Sequence, residues 1–305
     1  MSFEYNLISA MREYDLHINS INLEPGKYHR FRSLGTCKSK CCEYRIFENQ
    51  LGAHFKCFRR GIDRFWFDGD MNKVTVMQRK AMAVERQRVE QERVRTRSDV
   101  AKRCQKFWAK ISAMKSLPSH PYTLRKKIYP HNAVIIRSLC VLPVRNIDYE
   151  IQSLQFIKVN GFKQFKAGGS VSANMIWLCD ELPKDYSGII RLCEGWSTGC
   201  TIKSITKSPV ICALNAYNLV KVAKELRTHF IKAHVKICAD NDQWGKENVG
   251  LKCAKEASEL TGYALHYPEF QDFEAGSQPT DFNDLYNIAG YEAVKRQLIL
   301  IRRDK

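Results

Sequence analysis

From residue 189 onward, hydrophobic and polar positions follow a repeating order. A short apolar run, IIRLC, precedes the helix-period segment WSTGCTIKSIT and a second apolar run, PVICAL. The helical YNLVKVAKELRTHF, the run HVKICA, the helical ENVGLKCAKEASELTG and the run YALHYP continue the series. After a polar stretch come DFNDLYNIA and a last helix, YEAVKRQLILIRR. The apolar runs are strand-sized. Strands alternating with amphipathic helices imply crossover connections and a mainly parallel sheet with helices on its faces.

Upstream the pattern changes. Residues 118–187 carry strand-like AVIIRSLCVLPV and EIQSLQFIKV, a hairpin signal at Asn160-Gly161 before FKQFKAGG, and a further strand in ANMIWLCDE. Over 21–70, turn residues (Pro25-Gly26, Gly35, Gly52, Gly61, Asp68-Gly69) separate the aromatic segments YHRF, CEYRIF, HFKCF and DRFWF, which predicts a small β domain after a short helical lead. Residues 72–117 contain no Gly or Pro and predict a long helix with sparse apolar positions. Its 13 Lys and Arg against 4 Asp and Glu leave two readings open, a solvated connector or an arm that tracks phosphates. The expected organisation is a small β-rich N-terminal domain (1–70), a basic helical linker (71–117), a mixed α+β subdomain (118–187) and an α/β domain (188–305).

Composition narrows the class of partner. The formal charge of +17 and pI near 9.4 point to a polyanion, most simply nucleic acid. No apolar run approaches the roughly 20 residues that cross a bilayer, and the acidic, h-region-free start MSFEYNLISAMREYD is not a secretory signal. A membrane partner is therefore excluded as an expectation, and a cytoplasmic location is expected. In a reducing compartment the 12 cysteines are expected as free thiols, several packing as small hydrophobes inside strands. The early group Cys37, Cys41, Cys42 and Cys57 lacks paired C-x2-C knuckles, so no zinc is expected there.

The chemistry resides in the carboxylates. In parallel sheets, ligands bind beyond the carboxyl ends of the strands. Glu194-Gly195 follows IIRLC, and Asp240-Asn241-Asp242 follows HVKICA. Glu194, Asp240 and Asp242 are hard oxygen donors, suited to Mg²⁺ or Mn²⁺ rather than zinc. D-N-D by itself also reads as a turn that caps the helix near Glu247. Gly195 is expected to allow a tight turn and close approach to a bound group.

The run RLCEGWSTGCTI, VICALNAYNL and VKICADND resembles the Toprim domain, shared by bacterial-type primases, type IA and II topoisomerases and OLD-type nucleases. HPYTLRKKI, LCVLPVRN, IQSLQFIKVNGFKQFKAGG and DFNDL extend the likeness to DNA primases of plasmids and satellite phages, over roughly 118–290 and more weakly over 26–70. The resemblance implies a Rossmann-like, mainly parallel sheet flanked by helices, preceded by a mixed α+β primase subdomain. It implies Glu194, Asp240 and Asp242 as catalytic, metal-binding residues, with Asp281 and Asp284 a later acidic element that ligates metal or only fixes a turn. Such primases commonly carry an N-terminal zinc module with regular cysteine pairs and often a helicase; the cysteines here are irregular, and no G-x-x-x-x-G-K-[ST] loop occurs in the sequence.

The implied activity is synthesis of short primers on single-stranded DNA from nucleoside triphosphates, beside a separate replicative helicase. Lys163, Lys166, Arg145 and Arg137 are candidates for contacting template or triphosphate. Trp66, Phe65, Phe67, Tyr122 and Trp196 are candidate stacking platforms, against the alternative that they are core. A Toprim-type nuclease and a catalytically idle DNA-binding protein of a mobile element are the rival readings.

Overall fold

The computed structural model describes residues 2–36, 40–69, 75–270 and 278–299. The chain divides into two units, Met1–Arg95 and Thr96–Lys305. The division falls inside a helix and not at either end of it.

In the first unit, α1 (Phe3–Glu13) precedes an antiparallel sheet in the order β1 (His29–Phe31), β2 (Cys42–Ile46), β3 (Gly52–Cys57), β4 (Ile62–Phe67). These are the four aromatic segments of the sequence. Alternation sends Cys42, Tyr44, Ile46, Ala53, Phe55 and Cys57 to one face, where Leu7, Met11 and Leu16 complete a core. The other face carries Glu43, Arg45, His54, Lys56 and Asp63, tied together by ion pairs such as Lys56–Glu43 at 2.6 Å and His54–Asp63 at 2.6 Å.

The basic segment folds as α2 (Val76–Ser112). It is not merely solvated. Within the first unit Met82 and Val89 are buried, and ion pairs Arg45–Glu92 (2.6 Å) and Arg93–Asp63 (2.7 Å) join its N-terminal part to the polar sheet face. Within the second unit Val100, Cys104 and Ile111 are buried against Val141, Ile151 and Leu154. A narrow apolar stripe at i, i+4 and i+7 spacing therefore suffices to seat a helix whose remaining faces are charged.

The second unit begins with α3 (Pro121–Arg125), capped by His120, and an antiparallel sheet β5 (Val134–Ile136), β6 (Leu139–Arg145), β7 (Ile151–Lys158), β8 (Lys163–Phe165). The single run AVIIRSLCVLPV is two strands, because Arg137 adopts φ 52° and turns the chain. A five-stranded sheet follows in the order β13-β12-β10-β11-β9, formed by β9 (Ile176–Trp177), β10 (Ile189–Cys193), β11 (Val210–Cys212), β12 (His234–Cys238) and β13 (Ala264–His266). All its pairs are parallel except β11–β9. The crossovers are α4 (Trp196–Thr206), α5 (Ala216–His229) and α6 (Val249–Thr261). The closing α7 (Phe282–Ile299) is interrupted at Gly290, so the two helical segments of the sequence stay distinct.

Period-two alternation divides this sheet between two cores. Ile190, Leu192, Ile211, Val235 and Ile237 meet α5 and α6 on one face. Cys193, Cys212 and Cys238 face the other, with Trp196, Cys200, Phe282 and Leu285 and with Cys140, Leu142 and Ile157 of the antiparallel sheet. The eight cysteines of this unit are free thiols. Gly199 of α4 is the glycine this packing demands: a Cβ there would lie 2.4 Å from Cys212 Sγ and 3.0 Å from Leu178. Gly195 is different from expectation. Its φ of −100° suits any residue, and a Cβ would meet only Thr198 Oγ1 at 3.6 Å, so neither turn geometry nor space requires glycine.

Candidate active site

Strand register brings the acidic residues to one level. Cys193 pairs with Cys212 on one side and with Cys238 on the other, so Glu194 and the Ala239-Asp240 step emerge together at the carboxyl ends of β10 and β12. The two helices that follow β11 and β12 begin there. The Ala216 N–H, first in α5, donates to the Glu194 carboxylate. The Gly250 N–H of α6 donates to Asp242 Oδ2 at 3.3 Å, and the Asp242 N–H donates to the capping Asn248 Oδ1 at 3.0 Å. Helix N-termini present unsatisfied N–H groups and a partial positive charge, which offsets some carboxylate charge. Leu214 links β11 to the site: its N–H donates to Glu194 O at 2.8 Å while its own backbone is held at φ 77°. A leucine in the left-handed region costs roughly 1–2 kcal/mol, a strain concentrated where the turn meets the carboxylates.

The carboxylates are crowded and poorly solvated. Burial, then Asp242, push Glu194 up to about 7, with Asp281 adding to the rise and Lys163 opposing it. Burial, then the charges of Glu194, Asp281 and Asp242, push Asp240 well above the usual range. Asp240 Oδ1 is buried with no hydrogen-bond partner. Buried acids that repel one another favour their neutral forms unless a cation joins them. A hard divalent ion fits this donor set, and the orphaned Asp240 oxygen is the atom that lacks a partner without one. The oxygens stand apart: among the described residues, only the thiols of Cys41, Cys42 and Cys57 form a group of three or more His, Cys, Asp or Glu ligand atoms within 4.8 Å of one another.

Asp281 and Asp284 lie next to this group and cap α7. The Asp284 N–H donates to Asp281 Oδ1 at 2.8 Å, Thr198 Oγ1 donates to Asp281 Oδ2 at 3.1 Å, and the Thr280 N–H donates to Asp284 Oδ2 at 3.0 Å. Asp284 Oδ1 pairs with Lys126 at 3.1 Å. The sequence reading missed Lys126. It stands in the quoted HPYTLRKKI segment, beside Arg125 and Lys127, with no local signal to single it out.

The four expected basic contacts separate. Lys163 acts electrostatically on Glu194 and Asp240, and its ammonium lies 5.9 Å from the Tyr122 ring centroid. Lys166 does not join it. β8 ends at Phe165, and Lys166, just beyond it, acts electrostatically on Cys104 of α2 instead. Arg137 is exposed at the β5–β6 turn. Arg145 donates to Tyr149 O, is desolvated so that its pKa falls, and lines a separate cleft of about 520 Å³ with Trp108, Tyr149 and Trp177. Of the aromatic candidates, Trp196 and Tyr122 are core, and Phe65, Trp66 and Phe67 are half-buried. Trp196 is 2% and Tyr122 5% exposed, stacked at 6.3 Å, while Phe65 and Phe67 pack on buried Phe47 and Trp66 on Phe3. Phe162 and Tyr129 are exposed rings of the second unit.

The first unit carries a second centre. Cys42 and Cys57 pair directly across β2 and β3, and Cys41 Sγ lies 3.8 Å from Cys42 Sγ and 3.9 Å from Cys57 Sγ. A hydrogen bond from Cys42 pulls Cys57 down to about 5 against the effect of burial, with the N–H groups of Arg59 and Arg60 assisting. The thiol of Cys42 rises correspondingly. A stabilised thiolate among neighbouring thiols is a soft-metal donor set. Sheet register, not a knuckle, gathers these cysteines. Cys37 lies outside the described residues.

No family model matches the chain. Among solved structures, it is similar to the primase fragment of the bacteriophage T7 primase-helicase protein at 15% identity, covering 57% of this chain and 72% of that one with a TM-score of 0.43. It is also similar to the DnaG primase catalytic domain bound to ssDNA, at 14% identity, 63% and 61% coverage and a TM-score of 0.38. Against the zinc-binding and RNA polymerase domains of the Aquifex aeolicus primase, the figures are 12% identity, 96% and 82% coverage and a TM-score of 0.35.

Proposed function

We propose that the chain is a Toprim-type DNA primase of the plasmid and satellite-phage kind, a nucleotidyltransferase that makes short primers on single-stranded DNA. The observation that carries this reading is the buried, unpartnered Asp240 Oδ1 beside Glu194 at the carboxyl ends of adjacent parallel strands. Glu194, Asp240 and Asp242 would hold Mg²⁺ or Mn²⁺, and the ion, when bound, supplies charge neutralisation for the phosphates. Lys163 orients the triphosphate from the open edge. Glu194 accepts the proton of the attacking 3′-hydroxyl. That oxygen bonds to the α-phosphorus as the bond to the bridging oxygen breaks, and pyrophosphate leaves with the electron pair. A net charge of +17 supports a polyanionic template. Among the described residues no helix is long and apolar enough to cross a membrane. A separate replicative helicase as partner and a cytoplasmic location belong to the same proposal.

Primer synthesis from labelled nucleotides on single-stranded DNA, wild type beside Glu194→Gln, tests the reading. Cleavage of labelled DNA without nucleotides would instead favour a nuclease on the same carboxylates. Salt-dependent binding with no turnover and no response to Asp242→Asn would leave an idle DNA-binding protein.

A second reading concerns the first unit. We infer that Cys41, Cys42 and Cys57 hold a soft metal, zinc by donor type, because three sulfurs lie within 4.8 Å and one is a stabilised thiolate. Metal analysis of purified protein, with Cys57→Ser as control, tests it.

A further inference from the structure

The carboxylates on the acidic face of the second unit are not equivalent. Asp240 Oδ1 is buried and unpartnered, whereas Asp281 and Asp284 have partners on both oxygens. One of those partners is a charged group, Lys126, whose Nζ stands 3.1 Å from Asp284 Oδ1. Its place is set by bonds that do not involve its charge. The Lys126 carbonyl accepts from Asn283 Nδ2 at 2.8 Å, and fully buried Asn283 also donates to Thr201 Oγ1 at 2.9 Å. Bonds to α4 and α7 therefore hold the backbone of the lysine at the end of α3, within reach of Asp284.

We infer that Lys126 is a positioning residue whose ammonium takes the place of a second divalent cation, so that the centre binds one ion, at Glu194, Asp240 and Asp242, and not two. The inference rests on those three acids being the metal ligands. A second ion at Asp284 would have to displace an ammonium already at hydrogen-bond distance and leave that half-buried charge without its partner, which is costly. Lys126 also acts electrostatically on Asp281, so an ion held there would meet the same ammonium. Charge neutralisation at this end of the site is thus built into the chain.

A Mn²⁺ titration of the full chain, counting bound ions by loss of the free-ion paramagnetic signal, tests this directly. The wild type should take up one ion and lose it in Glu194→Gln. Lys126→Met should take up two, the second at least tenfold weaker, while Lys126→Arg stays at one and Lys126→Met with Asp284→Asn returns to one. Uptake of two ions by wild type, or of one by folded Lys126→Met, overturns the inference and leaves the three-acid site standing. Uptake of none by wild type removes the site itself and the inference with it. Should Lys126→Met not fold, Asp284→Asn alone decides: an unchanged count and affinity supports the inference, and loss of an ion or of affinity overturns it.

Discussion

Two clusters in this molecule bring together side chains of metal-binding type by different means. In the second unit, hard carboxylates collect at the ends of parallel strands, each strand contributing the residues just beyond its last paired position, with helix N–H groups facing them. In the first unit, soft thiols collect within an antiparallel ladder, because Cys42 and Cys57 happen to be direct cross-strand partners. The carboxylates remain apart and repel; the thiols touch and share protons. A parallel sheet announces its site in sequence, since the strand end is a definite place. An antiparallel ladder does not, since any two positions can become partners once turn lengths are fixed.

The widest separation between the centres is expected in catalysis. Asp240→Ala should lower primer synthesis by about a thousandfold or more, the scale of losing a metal-held transition-state contact. Cys57→Ser should leave Mn²⁺ uptake at the acidic site unchanged. Equal loss of turnover with retained Mn²⁺ affinity in both variants would break the proposed division of labour.

Stability should separate them next. Cys57→Ser is expected to release the bound soft metal and lower the unfolding midpoint, at a cost of several kcal/mol if the metal helps to fold the small unit. At the acidic centre stability depends on pH. The folded pKa of Glu194, about 7, lies above its ordinary value of 4.5, so the metal-free fold binds that proton more tightly than the unfolded chain does. Stability in EDTA should therefore be greatest below about 4.5 as far as this group is concerned, and fall by about 1–3 kcal/mol as pH rises through 7. Glu194→Gln should flatten that slope, and saturating Mn²⁺ should suppress it. An unchanged slope in Glu194→Gln would assign the proton to another group.

Smaller effects sharpen the picture of the acidic site's support. Gly199→Ala should destabilise by about 1–3 kcal/mol, because its Cβ would press on Cys212 Sγ at 2.4 Å. Gly195→Ala, with open space and φ −100°, should cost less than about 1 kcal/mol by thermal unfolding. In activity, Lys163→Ala should raise the nucleotide KM by roughly tenfold, while Lys166→Ala, whose charge lies toward Cys104 of α2, should leave it unchanged.

The amino-acid sequence determined the alternation of strand and helix after residue 189, the four aromatic strands of the first unit and the carboxylates at strand ends, because period, turn residues and strand limits are local properties. It also carried the resemblance on which the catalytic reading rests. Tertiary structure decided the rest. Only strand register joined Cys42 to Cys57, only the surroundings of β8 and its end turned Lys163 toward the acids and Lys166 toward Cys104, and only the packing of α3 against α7 put Lys126 beside Asp284. Trp196 and Tyr122 became core for the same reason: whether an aromatic ring stacks on a ligand or on its neighbours depends on what lies above it in space, and that is set by contacts between residues distant along the chain.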